Sequence, residues 1–244
     1  MPTPAAVLVR LGDRATLSHE EAARQLGLPL VDDAGVRRII VPRSRSRTRV
    51  DGWRVHRAEL STSEVLHLSD GLQVTSHLRT VTDLARVLPV PEAVAAADAA
   101  LRDGHVTVTA LVGPQSAARG YGSGGCRRVA ALLDPLAGSI FESLLRVVLV
   151  LGGVPAPVSQ HQVRDANGRV VARVDLCWPA ARLIVEADGY AFHSDRLAYR
   201  RDRERMNELE RLGWRVLRIT WEDVRQRPLG VVELVTECLT QGAA

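Results

Sequence analysis

The stretch Val174-Asp175-Leu176-Cys177-Trp178-Pro179, followed by Leu183-Ile184-Val185-Glu186-Ala187-Asp188-Gly189, decides the reading of this chain. Both segments are short and apolar, and they read as neighbouring strands closed by Pro179 and Gly189. Carboxylates inside strands lose solvation, so Asp175, Glu186 and Asp188 need something to offset that loss. A divalent cation does so. Hard oxygen ligands suit Mg²⁺ or Mn²⁺, which polarise a phosphodiester and lower the pKa of bound water. Val174 and Leu176 face away from Asp175, while Glu186 and Asp188, two residues apart, share a face if the extended backbone reaches Gly189. Asp175 and Glu186 are therefore candidate metal ligands and catalytic residues. Asp188 is a candidate third ligand, although Asp-Gly is also ordinary turn chemistry.

The segments around this pair complete an α/β unit. Ser139 to about Leu151 reads as an amphipathic helix, with Ser139 and Glu142 spaced as a capping box. Glu142 is also a candidate catalytic acid, because a carboxylate near a helix start can point over the strand ends. A strand from Val158 to Val163 carries Gln160 and Gln162, which are candidates to orient water or touch DNA; alternation also places them on a solvated face. Asp165-Ala166-Asn167-Gly168 supplies a turn into Val170–Trp178. A charged helix over roughly Arg196–Leu212, a strand over Trp214–Ile219 and a helix over Val231–Leu239 follow. On the charged helix Arg200 and Arg203 are candidate phosphate clamps, against the reading of an exposed face laced with ion pairs. His193, just after the second carboxylate strand, can serve as base or acid near neutral pH.

The first half is mixed helix and strand. Ser18 and Glu21 are spaced to cap a helix through Gln25; Val36–Val41 and Gly52–Arg57 read as strands around an Arg/Ser-rich turn. Arg43, Arg45 and Arg47 in that turn are candidate DNA contacts. Leu72–Ser76 is extended, and helices are expected over Arg79–Leu88 and Pro91–Leu101. Gly120-Tyr121-Gly122-Ser123-Gly124-Gly125 reads as a flexible turn, since it lacks the flanks of a nucleotide loop. Pro135 and Gly138 mark the boundary between domains 1–134 and 135–244.

Composition narrows the chemistry. The 244 residues are 46% hydrophobic and 25% charged, as in an ordinary globular protein, and the formal charge of +4 favours a polyanion only weakly. There is no lysine, so all 32 basic residues are arginines and no step can use a lysine ammonium. Cys126, Cys177 and Cys238 are too scattered for a disulfide framework or a thiolate zinc site, which fits reduced thiols in the cytoplasm. The apolar run Val147–Val154 is too short to span a bilayer, and no signal-like segment opens the chain, so no membrane partner is expected.

Taken together, Glu142-Ser143-Leu144-Leu145-Arg146, Val174-Asp175-Leu176, Val185-Glu186-Ala187-Asp188-Gly189, His193, Arg201-Asp202-Arg203, Asn207 and Gly213–Arg218 resemble domain-of-unknown-function family 559. That family belongs to the very-short-patch-repair-like branch of restriction-endonuclease-like proteins. The resemblance covers roughly Pro135–Leu239. It implies an α/β fold with a mixed central sheet flanked by helices, following an α+β amino-terminal domain. It further implies a metal-dependent DNA endonuclease in which Asp175 and Glu186 match the metal ligands, Glu142 the acid of the first helix and His193 the following histidine. Asp188 stands at the usual lysine position, which leaves a histidine-assisted variant or lost activity. Val74–Ala85 resembles the amino-terminal region of actinobacterial members, some similar to AbiEi-type antitoxins. The alternative is thus an inactive DNA-binding or toxin-antitoxin-associated regulatory protein. DNA is the expected partner, and a homodimer or protein partner stays open.

Overall fold

The computed structural model describes residues 2–32, 35–45, 49–189 and 196–241, without side chains at 196–201. The chain divides into two units, Met1–Pro135 and Leu136–Ala244. The two-domain α/β architecture expected from the sequence is the one observed, and the second unit carries the mixed sheet flanked by helices.

The first unit begins with α1 (Pro4–Leu11), β1 (Thr16–Ser18), α2 (His19–Gln25), β2 (Arg37–Val41) and β3 (Trp53–Arg57). It continues with β4 (Val65–His67) and β5 (Gln73–Thr75), and then four helices: α3 (His77–Val87), α4 (Val90–Arg102), α5 (Val108–Ser116) and α6 (Ser123–Leu132). The five strands are ordered β3-β2-β1-β5-β4. Leu17, Ile39, Val41 and Val74 are buried on this sheet with Val7 and Leu11 of α1. The strands β2 and β3 pair in parallel, Arg37 opposite Trp53 through Val41 opposite Arg57. The segment read from the sequence as an Arg/Ser-rich turn therefore joins two parallel strands.

Two local expectations are corrected. Ser18 does occupy the N-cap of α2 but makes no side-chain cap bond; its hydroxyl lies 2.9 Å from Nδ1 of His19, and Glu21 turns to Arg24 and Gln25 instead. The glycine cluster is not simply a flexible turn, because Ser123, Gly124 and Gly125 already belong to α6. A Cβ on Gly125 would sit 2.3 Å from the Ala85 carbonyl oxygen, and one on Gly122 would sit 2.5 Å from that of Arg86. These glycines let α6 lie directly on the backbone of α3, a packing need that composition alone does not reveal.

The second unit runs α7 (Ile140–Leu151), β6 (Val158–Arg164), β7 (Val170–Trp178), β8 (Leu183–Asp188), α8 (Arg196–Arg211), β9 (Arg215–Thr220), α9 (Trp221–Gln226) and α10 (Pro228–Gln241). Its sheet order is β6-β7-β8-β9, with β8 and β9 parallel and the other pairs antiparallel. Val163, Ala172, Val174, Cys177 and Ile184 form a core with Leu209 of α8. Leu176, Leu183 and Val185 are also fully buried, so β7 and β8 are sequestered on both faces, as their near-continuous apolar runs demand. Such burial makes any carboxylate on these strands conspicuous. All three cysteines are free thiols, and Cys177, buried in the sheet, is pushed up to about 11. Among the described residues no helix is long and apolar enough to cross a membrane.

Candidate active site

The β7–β8 ladder runs from Trp178 opposite Leu183 to Leu176 opposite Val185 and stops there, one residue short of the carboxylates. Beyond that point the Ala187 amide is bonded by the Asp175 side chain, Oδ2 accepting at 2.9 Å. An aspartate that replaces a strand's backbone as acceptor holds two strands slightly apart and fixes its own orientation. Its other oxygen, Oδ1, lies 3.4 Å from Nε2 of Gln160 on β6.

Gln160 has a left-handed backbone, φ 53°, inside a strand, which is uncommon for a residue with a side chain. The same amide nitrogen donates to Oε2 of Glu142 at 2.6 Å. Gln160 thus ties Glu142 to Asp175, and the local backbone strain is maintained where these groups meet.

Glu142 reaches this point from the first turn of α7. Its own N–H donates to the Ser139 hydroxyl at 3.1 Å, so half of the expected capping box is present. The carboxylate serves elsewhere: Oε2 accepts from the Gly138 amide at 2.8 Å as well as from Gln160. A Cβ at position 138 would come within 3.0 Å of both Glu142 Oε1 and Gln160 Nε2, so a bare backbone is needed over the cluster. Burial, then the neighbouring Asp175 carboxylate, pushes Glu142 above its ordinary range.

Glu186 on β8 is half-buried and faces the same charge. Burial first, and Asp175 second, push it up to about 7, with Arg205 pulling the other way. Arg205 of α8 donates to Glu186 Oε1 at 3.3 Å and to Asp202 Oδ1 at 3.0 Å. Asp202 also accepts from Arg218, which stands across the parallel ladder from Glu186. An ordered chain Glu186–Arg205–Asp202–Arg218 therefore leads from the cluster along α8 and β9. Sequence reasoning chose Arg200 and Arg203 on α8 and missed Arg205. Met206 and Leu209, packed into the sheet core, mark the inward face of the helix, and Arg205 and Asp202 lie beside it at helical spacing.

The other sequence candidates are placed as follows. Asp188 is exposed at the end of β8, paired in register with Thr220. Gln162 is exposed and accepts from Arg164 at 2.7 Å. Arg203 is exposed on α8, whereas His193 and Arg47 lie outside the described residues, as does the Arg200 side chain. Arg43 is exposed, and the Arg45 guanidinium donates to the Leu11 carbonyl at the end of α1.

The structure thus brings Glu142, Gln160, Asp175 and Glu186 to one place. Burial first, and repulsion from the Asp175 carboxylate second, raise Glu142 and Glu186. Hard oxygen donors of this kind fit a divalent cation. Among the described residues no group of three His, Cys, Asp or Glu side chains is arranged to hold a metal ion. Between Glu142 and Asp175 it is the neutral Gln160 amide that supplies the donor hydrogens.

Residues 159–239 match the family model REase_MTES_1575, a restriction-endonuclease-like family; the match includes Gln160, Asp175 and Glu186. Two Mycobacterium tuberculosis proteins, uncharacterized protein Rv2248 of strain H37Rv and uncharacterized protein MT2308 of strain CDC 1551, are each 30% identical to the chain over 225 residues. That alignment covers 92% of this chain and 81% of each of them. No solved structure matches the chain significantly.

Proposed function

The chain belongs to the same family as the mycobacterial proteins Rv2248 and MT2308, its carboxy-terminal unit being a restriction-endonuclease-like scaffold, and on that premise we propose that it is a metal-dependent DNA endonuclease that hydrolyses phosphodiester bonds. The observation that carries the proposal is the convergence of Glu142, Asp175 and Glu186 where β7 and β8 part. The resemblance to domain-of-unknown-function family 559 and to AbiEi-like amino-terminal regions belongs to the same proposal.

Asp175 and Glu186 would hold Mg²⁺ or Mn²⁺, with Glu142 beside them and Asp188 as a further acid at the open end of β8. When bound, such an ion supplies a Lewis acid for the phosphoryl oxygen and lowers the pKa of water. The protein's own groups do the rest. Asp175 is locked by the Ala187 amide, so the position of the cluster is set before substrate arrives. Arg205 steadies Glu186 and, with Arg218, brings positive charge to a site that has no lysine. His193 is assigned proton transfer to or from the reacting oxygens, and Gln162, Arg200 and Arg203 contact with the DNA backbone. Arg43, Arg45 and Arg47 would add sequence-independent attraction. The free thiols suit a cytoplasmic setting.

The test is Mg²⁺-dependent cleavage of supercoiled, nicked, mismatched and branched DNA by the full chain, compared with a D175A/E186A variant. Cleavage by the wild type alone is expected; equal cleavage by both would sink the assignment. A second reading, a DNA-binding regulatory protein on a nuclease scaffold, draws on Asp188 at the lysine position and on the Gln160 amide between Glu142 and Asp175. Salt-sensitive DNA binding without cleavage under any divalent metal, unchanged in D175A/E186A, would favour it.

A further inference from the structure

The first unit contains a cavity of about 1140 Å³ whose wall collects four histidines from sites far apart in sequence, His19, His56, His77 and His105. They form two stacked pairs, His19 on His56 with ring centroids 4.5 Å apart and His77 on His105 at 4.1 Å. Five arginines line the same wall against three carboxylates. The carboxylates are already engaged. Asp83 and Glu64 both accept from Arg79 at 2.9 Å, and Glu59 accepts from Arg14 and from the Arg43 amide.

The donors are less occupied. Arg57 and Arg119 are exposed, and their guanidinium groups make no hydrogen bond or ion pair among the described residues. Arg86 is held in place by the carbonyls of Arg119 and Tyr121, at 3.3 and 2.7 Å. The buried Nε2 of His56 has no hydrogen-bond partner among the described residues. His19, 4% exposed, begins α2 with a left-handed backbone at φ 53°. Strain at a residue that lines a cavity is a second sign of a built site.

We propose that this cavity binds a phosphate monoester, through the unpaired guanidinium groups of Arg57 and Arg119 on a wall that also carries the stacked histidines. Imidazole and guanidinium donors with every nearby acid already paired select an anion, and arginine favours the planar recognition of phosphate. The volume exceeds what a lone phosphate ion needs and lies a little above the range of small-ligand sites, about 300–1,000 Å³. A concave wall can surround a terminal phosphate more completely than an internal phosphate on the convex surface of a duplex. The same chemistry is presented by a free nucleoside monophosphate or by the 5′-phosphate of a DNA strand.

Proton linkage should accompany binding. Burial, and then His56, Arg38, Arg79 and Arg86, hold His19 down to about 2. Burial, Arg38 and Arg54 lower His56, and burial and His105 lower His77. Negative charge brought among these groups draws protons onto them, so binding takes up protons wherever the pH lies below their pKa in the complex.

Titration calorimetry on the full-length protein tests this, using adenosine 5′-monophosphate, a 5′-phosphorylated single-stranded deoxyoligonucleotide and the same oligonucleotide with a 5′-hydroxyl. Expected is binding of one or both phosphorylated probes, at least about tenfold tighter than adenosine or the 5′-hydroxyl strand, with proton uptake. Which of the two binds identifies the source of the phosphate. R57Q and R119Q, at exposed positions where folding should survive, are each expected to weaken binding about tenfold or more, and D175A/E186A to leave it unchanged. Equal affinity for phosphorylated and unphosphorylated probes, no binding of either phosphorylated probe, or full affinity in both arginine variants would overturn the proposal.

Discussion

In the second unit Glu142 and Asp175 share a neutral amide and Glu186 faces the Asp175 charge, whereas in the first unit His19, His56, His77 and His105 gather with arginines whose nearby acids are already paired. Both places pay a desolvation cost, and the shifts have opposite sense. Burial and like charge raise Glu142 and Glu186 and lower His19, His56 and His77, so each cluster is pushed toward its neutral form. On the proposed reading one site takes a cation and the other an anion. The difference also separates kinds of local order: Asp175 is fixed by a backbone amide at the end of a ladder, while the histidines are fixed by stacking across elements.

The sharpest way to break that contrast is D175N. It removes negative charge while keeping shape, and Mg²⁺-dependent cleavage measured by gel assay is expected to drop by about 10²–10³-fold, with phosphate binding in the first unit unaffected. A cleavage rate within twofold of wild type would detach the cluster from the chemistry. R205Q should cost about 10–100-fold, as removal of an outer partner does. Arg205 lowers Glu186, so without it Glu186 stays protonated to higher pH, and the acidic limb of the pH–rate profile is expected to move upward. A profile that falls in amplitude without moving would mean that Arg205 only braces α8.

Two smaller effects concern stability. Q160L leaves the buried oxygens of Glu142 and Asp175 without their shared donor, at a cost of about 1–3 kcal/mol by urea unfolding, which Mg²⁺ should recover. Failure of Mg²⁺ to recover any of it would make Gln160 purely structural. G125A forces α6 off the Ala85 carbonyl and should cost about 1–3 kcal/mol in the first unit, leaving the Mg²⁺ response of the second intact.

Much of the second unit was legible because its signals are local. Alternation around Asp175, the cap at Ser139 and the turn at Gly168 each operate within a few residues, and each led to the element observed. What was not legible depended on distance or on an exception. Alternation offers Gln160 only the roles of orienting water, touching DNA or lying on a solvated face, because it ignores a left-handed residue inside a strand. The charge pattern alone favours Arg200 and Arg203 over Arg205, because it does not show the inward face set by Met206 and Leu209. In the first unit, the three-residue strands β1 and β4 are too short for a periodic signal. Parallel pairing of β2 with β3, the approach of α6 to α3 and the four histidines all arise from contacts between distant segments.

The central claim is that the carboxylates of the second unit form a cation site. Glu186 sits at about 7 in the folded chain against an ordinary 4.5, so between those values the native state holds more protons than the unfolded chain, and its stability falls as the pH rises through that window. A cation offsets this only where the carboxylates are ionised. The most direct measurement is the thermal midpoint of the full chain with and without saturating Mg²⁺, at about pH 8 and about pH 5, for wild type and for D175N/E186Q. The account predicts a Mg²⁺-dependent rise in wild type that is large at the higher pH, small at the lower one and lost in the variant. An equal rise in both proteins, or none in wild type at the higher pH, would contradict it.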